Sequence, residues 1–87
     1  MSKYEIEFLN TARRSLRRLS KSNQKRVVSA IEELADNPRP LGYTQLSGTS
    51  DRRYRIRIGD YRIVYKIEDN ILLVLIVNIG HRREIYR

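Results

Sequence analysis

The sequence predicts an α+β domain: an N-terminal strand and an antiparallel helix hairpin packed on a small, mainly antiparallel four-stranded sheet. Three observations carry this expectation. Residues 4–9 and 53–68 alternate apolar and charged side chains with the period of a strand. Residues 12–36 repeat apolar positions with the period of a helix, and residues 71–79 are apolar almost throughout. One domain, residues 1–87, has room for a single two-layer core.

The elements follow in order. In residues 4–9, Tyr4, Ile6 and Phe8 share one side and Glu5 and Glu7 the other, as in a half-buried strand. Ala12, Leu16 and Leu19 then recur at helical spacing, with Arg13, Arg14, Arg17, Arg18 and Lys21 on the opposite arc. A second helix is predicted over residues 23–36, where Val27, Ile31, Leu34 and Ala35 form the apolar stripe. Asn37-Pro38 ends it, because proline disfavours helical geometry in the residue before it. The short link at residues 20–22 folds the two helices back on each other. Residues 39–51 have the composition of a loop, tacked to the core by Leu41, Tyr43 and Leu46. Gly59-Asp60 is a two-residue hairpin signal between residues 53–58 and 61–68. The apolar run 71–79 is expected as the central strand.

Composition narrows the function. Eighteen Lys and Arg against ten Asp and Glu give +8 at pH 7, a field that attracts polyanions. The longest apolar run is far too short to span a bilayer, so no membrane role is expected. Nothing before Tyr4 reads as a signal peptide, which leads us to expect a cytoplasmic protein. With no cysteine and one histidine, the chain offers no recognisable metal site, and no glycine-rich phosphate loop for a small-molecule cofactor.

A two-residue turn at Gly59-Asp60 fixes a register. Arg57 then faces Arg62, Arg55 faces Val64 and Arg53 faces Lys66, while Tyr54, Ile56, Ile58, Tyr61, Ile63 and Tyr65 share the other face. Opposed like charges cost about 0.2–1 kcal/mol per pair, a penalty that a bound anion removes. The segment after the apolar run, residues 80–87, adds His81, Arg82, Arg83 and Tyr86 close to Arg62. Arg13, Arg17 and Arg18 supply a second cationic face.

These residues resemble the RelE/ParE superfamily of bacterial and archaeal toxins, within its RelE-like messenger-RNA-cleaving branch. The resemblance spans nearly the whole chain. It rests on the element order, on Leu46-Ser47-Gly48, on Tyr54-Arg55-Ile56-Arg57 leading to Gly59-Asp60-Tyr61-Arg62-Ile63-Val64-Tyr65, and on Gly80-His81-Arg82-Arg83-Glu84-Ile85-Tyr86. It implies that Arg55 and Arg57 occupy strand sites where relatives often carry lysine, and that Arg62, Arg82 and Tyr86 match the family's arginines and terminal tyrosine. Arginine stays protonated, so Arg55 and Arg57 are poor proton acceptors. The chain also ends one residue after Tyr86, without the C-terminal helix of longer relatives.

The implied activity is metal-independent endonucleolytic cleavage of messenger RNA, on the ribosome, by a toxin held in check by a small acidic antitoxin. Taking the resemblance together with the charge pattern, the expected catalytic set is Arg57, Arg62, His81, Arg82 and Tyr86, with Arg13, Arg17, Arg18, Arg53, Arg55 and Arg83 contacting RNA. Among these, only Tyr86 and His81 can take the ribose 2′-hydroxyl proton, and the sequence leaves the choice open. The alternatives are a ParE-like toxin that binds DNA gyrase and an RNA-binding module without chemistry.

Overall fold

In the computed structural model, residues 3–46 and 52–81 are described. Strand β1 (Glu5–Phe8) leads into helix α1 (Asn10–Arg17) and helix α2 (Lys21–Asp36). Strands β2 (Thr44–Leu46), β3 (Arg53–Ile58), β4 (Tyr61–Glu68) and β5 (Leu73–His81) follow, with a single 3-10 turn at Asp69–Ile71 before β5. The sheet order is β1-β5-β4-β3-β2, with β1 parallel to β5 and the other neighbours antiparallel. The α+β class is as expected, but the sheet has five strands. No helix among the described residues is long and apolar enough to cross a membrane.

The helices form where the pattern and the caps agree. Ser20 accepts a hydrogen bond from the Asn23 backbone N–H at 3.3 Å, capping α2, so Lys21 and Ser22 belong to its first turn and not to the link. Gln24 Nε2 donates to the Leu19 carbonyl at 3.0 Å, satisfying backbone just past α1. At the far end of α2, Asn37 is extended ahead of Pro38.

Val27, Ala30, Ile31 and Leu34 of α2 and Ala12 of α1 share one core with Tyr54, Ile56, Ile63, Tyr65, Val74, Ile76 and Ile79. Burying each large aliphatic side chain stabilises the fold by about 1.5–3 kcal/mol. The extra strand arises inside the segment expected as loop. Thr44 and Leu46 pair with Arg55 and Arg53 on the outer edge of β3, and Tyr43 packs its ring 5.9 Å from Tyr54. Leu41 does not tack the loop down: Gly42 adopts φ +92, placing Leu41 at the corner of a turn closed by Tyr43 N–H to the Pro40 carbonyl, fully exposed.

β5 is interior, flanked by β1 and β4, while β4 occupies the middle of the sheet. It starts at Leu73 because Leu72 takes a left-handed conformation, φ 53, after the 3-10 turn. Between Val64 and Tyr65 the β4–β5 register shifts: Tyr65 pairs with Ile76 and Val64 with Asn78, so Val77 and Asn78 together oppose Val64 as a β-bulge.

Candidate functional site

The hairpin expected from Gly59-Asp60 forms with the anticipated register, placing Arg57 directly opposite Arg62 and Arg55 opposite Val64. Gly59 has φ +57 and Asp60 has no positive φ, the pattern of a type II′ turn, which needs glycine at its first central position. On the helix side, Arg26 of α2 reaches so close to Gly59 that an added Cβ would meet its Nη2 at 2.8 Å. The turn therefore lies beside the helix layer, with a side chain at position 59 excluded unless Arg26 moves.

Arg57 and Arg62 differ in environment. Arg57 is exposed, whereas Arg62 is 3% exposed on a strand edge-to-edge with β3 and β5. A buried guanidinium requires polar contacts, and Arg62, like Arg53, Arg57 and Lys66, takes part in at least one hydrogen-bond, ionic, ring or electrostatic contact. Arg53 and Arg55 are half-buried. The sheet face is therefore cationic as expected, with one of its cations sunk into the fold. Arg57 and Arg62 meet at a hollow of about 90 Å³ shared with Gly59, Asp60 and Tyr61. A larger groove, about 560 Å³, opens where β2 stops at Thr44 and leaves the last residues of β3 beside α2; Arg55, Arg57, Leu41 and Glu33 line it.

His81 lies elsewhere. It pairs with Tyr61, whose ring it meets edge-on at 5.4 Å, and both line a hollow with Ser15, Arg18, Leu19 and Ile79. This is the helix-facing side of the sheet. Strict alternation from Val74 and Ile76 would put His81 on the face of Arg62; the bulge at Val77 and Asn78 reverses the parity and turns it away. Tyr61 in turn accepts a hydrogen bond from Asn23 Nδ2 of α2 at 3.3 Å.

The expected set thus separates. Arg57 and Arg62 come together with Arg55 and Arg53 on β3 and β4, Arg18 comes to His81, and Arg13 and Arg17 lie exposed on α1 without lining either hollow. Arg82, Arg83 and Tyr86 lie outside the described residues. Arg14, placed by the sequence on the cationic arc of the first helix but not among the RNA-contacting residues, flanks Arg18 in a second hollow with Ser15 and Asn78, which the sequence did not single out. The position of Asn78 depends on the bulge, which an apolar run does not announce.

A separate cluster is structural. Arg39 grips Asp69 with both terminal nitrogens, at 2.8 and 3.3 Å, and the Tyr4 hydroxyl donates to the same carboxylate at 2.7 Å. These donors hold the Asp69 carboxyl down from 3.8 to about 2, Arg39 contributing most and Tyr4 next. Binding the carboxylate conversely raises the Tyr4 hydroxyl. Burial raises the Tyr65 phenol.

A small basic α+β protein with a helix pair on one face of a mixed sheet and opposed arginines on the other matches a defined class. The sequence profile of the ParE toxin of the type II toxin–antitoxin system parDE matches residues 6–86. The chain is 35% identical over 88 residues to the toxin RelG of Mycobacterium tuberculosis, with 97% of each protein covered. Its fold superposes on the RelE–RelB complex of Pyrococcus horikoshii with a TM-score of 0.80 at 26% identity, covering 92% of this chain and 96% of that one. The RelBE2 toxin–antitoxin complex of Mycobacterium tuberculosis gives a TM-score of 0.80 at 31% identity, covering 92% and 99%. The chain belongs to the RelE/ParE family of type II toxin–antitoxin toxins.

Proposed function

We propose that this toxin is a metal-independent endoribonuclease that cleaves messenger RNA on the ribosome. The observation that carries the reading is the Arg57–Arg62 pair, two arginines directly opposite each other across β3 and β4 with Arg55 two residues along on the same strand. Such a pair suits a phosphate whose charge grows during reaction. In the proposed step the 2′-oxygen attacks the adjacent phosphorus, an O–P bond forms, and the bond from phosphorus to the 5′-oxygen breaks. The products are a 2′,3′-cyclic phosphate and a 5′-hydroxyl. A base removes the 2′-hydroxyl proton and the departing 5′-oxygen is protonated from the site or solvent. With His81 turned to the helix side, Tyr86 is the stronger candidate for the base. Arginines beside a tyrosine favour its phenolate form, and in this reading Arg82 would add a third positive charge to the phosphate.

The partner would be a small acidic antitoxin, as the RelB complexes of the structural relatives suggest. The test is cleavage of messenger RNA with and without ribosomes in EDTA. RNA but not DNA should be cut, with cyclic phosphate ends, and Arg57→Ala or Arg62→Ala should lower the rate by about 10²–10³-fold. Because Arg62 is buried, the exposed Arg57 is the cleaner probe. Loss of activity in EDTA with recovery in magnesium, or 5′-phosphate ends, would overturn the mechanism. RNA binding without cleavage would leave a plain binding module, and inhibition of gyrase instead would assign the ParE-like activity.

A further inference from the structure

We propose that the channel between α1 and the end of β5 is a second RNA-binding site, seating a single-stranded sugar-phosphate backbone on Arg14 and Arg18. The proposal rests on the reading of the chain as an RNA-directed toxin and assigns a part of the molecule that the cleavage step does not use.

The channel follows from the topology. β1 pairs with β5 only as far as Phe8 and Ile76, so residues 77–81 of β5 continue without a β1 partner. The chain instead turns into α1, which is stitched to this stretch by the Thr11 hydroxyl donating to the Val77 carbonyl at 2.9 Å. The bulge falls at this point and leaves Asn78 exposed beside the helix. Two hollows result, about 300 Å³ around Thr11, Arg14 and Asn78 and about 260 Å³ around Leu19, Tyr61 and His81. Ser15 and Arg18 line both, so the two hollows adjoin along α1.

Its chemistry selects the ligand. Each hollow lies at the lower limit for a small-molecule pocket, which suits successive units of a polymer better than one compact ligand. Arg14 and Arg18, four residues apart, stand roughly 6 Å apart along the helix, on the side facing the channel. Ser15 and Asn78 add neutral hydrogen-bonding groups between the cations, fit for sugar hydroxyls. At one end the hollow is lined by the half-buried rings of Tyr61 and His81, aromatic groups of the kind against which a base can pack. An acidic peptide would use the two arginines but has no need of the rings.

The test measures binding of a single-stranded 2′-O-methyl RNA of about twelve nucleotides, which cannot undergo cleavage, as a function of salt. Two phosphate contacts at ~0.7 each predict that Arg14→Ala/Arg18→Ala lowers the slope of log K against log salt by about 1.4, and affinity by ~10-fold. Arg13→Ala/Arg17→Ala removes the same charge from the same helix outside the channel and should change both less. Ser15→Leu, which fills the place where the two hollows adjoin without altering charge, should weaken binding while thermal unfolding confirms an intact fold. Equal losses in the two double variants, or unchanged binding in a folded Ser15→Leu protein, overturn the site. So does a channel variant that loses affinity for polyglutamate but not for RNA, which would assign the channel to an acidic protein segment. Cleavage by the wild-type protein is scored separately, so failure of the nuclease reading and failure of this site give different results.

Discussion

Asp69 ties together three segments of the chain that lie far apart in sequence. It sits in the turn between β4 and β5 and gathers Arg39, from the segment after α2, and Tyr4, from the chain start. Its carboxyl titrates at about 2 in the folded chain against 3.8 ordinarily. A depressed folded value means that the stabilisation is fully present above pH 4 and disappears as pH falls towards 2. Asp69→Asn should therefore flatten acid unfolding between those limits, with the two proteins converging below pH 2, as followed by circular dichroism. Equal pH profiles for both would show that the Arg39 grip adds nothing. The catalytic candidates offer a contrast. The Arg57–Arg62 pairing could be derived residue for residue, because one glycine-containing turn fixes every pair on its two strands. Arg62's burial could not, since burial depends on what lies over a position and not on its neighbours in sequence.

At the scale of elements, both helices and the β3–β4 hairpin were legible because their apolar period is strong and their ends carry signals, Asn37-Pro38 and Gly59-Asp60 among them. β2 was not: three residues paired to an edge need no apolar alternation and sit among turn formers. The bulge in β5 was hidden for another reason. In a run apolar at nearly every position both parities look alike, so the reversal that sends His81 to the helix side leaves no trace. The junction after α2 is pinned by a contact of the same hidden kind. The buried Tyr65 hydroxyl on β4 donates to the Pro38 carbonyl at 2.7 Å. Tyr65→Phe keeps the ring packing and leaves that carbonyl without its donor, a loss of about 1–2 kcal/mol. Urea unfolding should show a lower midpoint with an unchanged slope. No shift in midpoint would mean that the carbonyl finds water instead.

For the whole molecule the governing quantity is charge. A chain of 87 residues at +8 attracts any polyanion nearby, and its arginines are spread over β3, β4 and α1. Under the proposed function, an antitoxin that supplies carboxylates would cover the paired Arg57 and Arg62 and deny the site to phosphate. A segment rich in Asp and Glu, disordered alone and folding on contact, has the right properties, and its affinity should fall as salt rises. The expectation is that expression of this chain alone arrests growth and translation, and that co-expression of a neighbouring acidic protein restores both. Arg62→Ala/Tyr86→Phe should abolish the arrest while the protein, followed by blotting, accumulates to at least the wild-type level. Normal growth with abundant wild-type protein would argue against a toxin. Arrest that persists in the double variant would place the toxic action outside the proposed cleavage site, and a gyrase supercoiling assay would then decide for the ParE-like activity, because that mode needs a protein-binding surface and no group that takes up a proton.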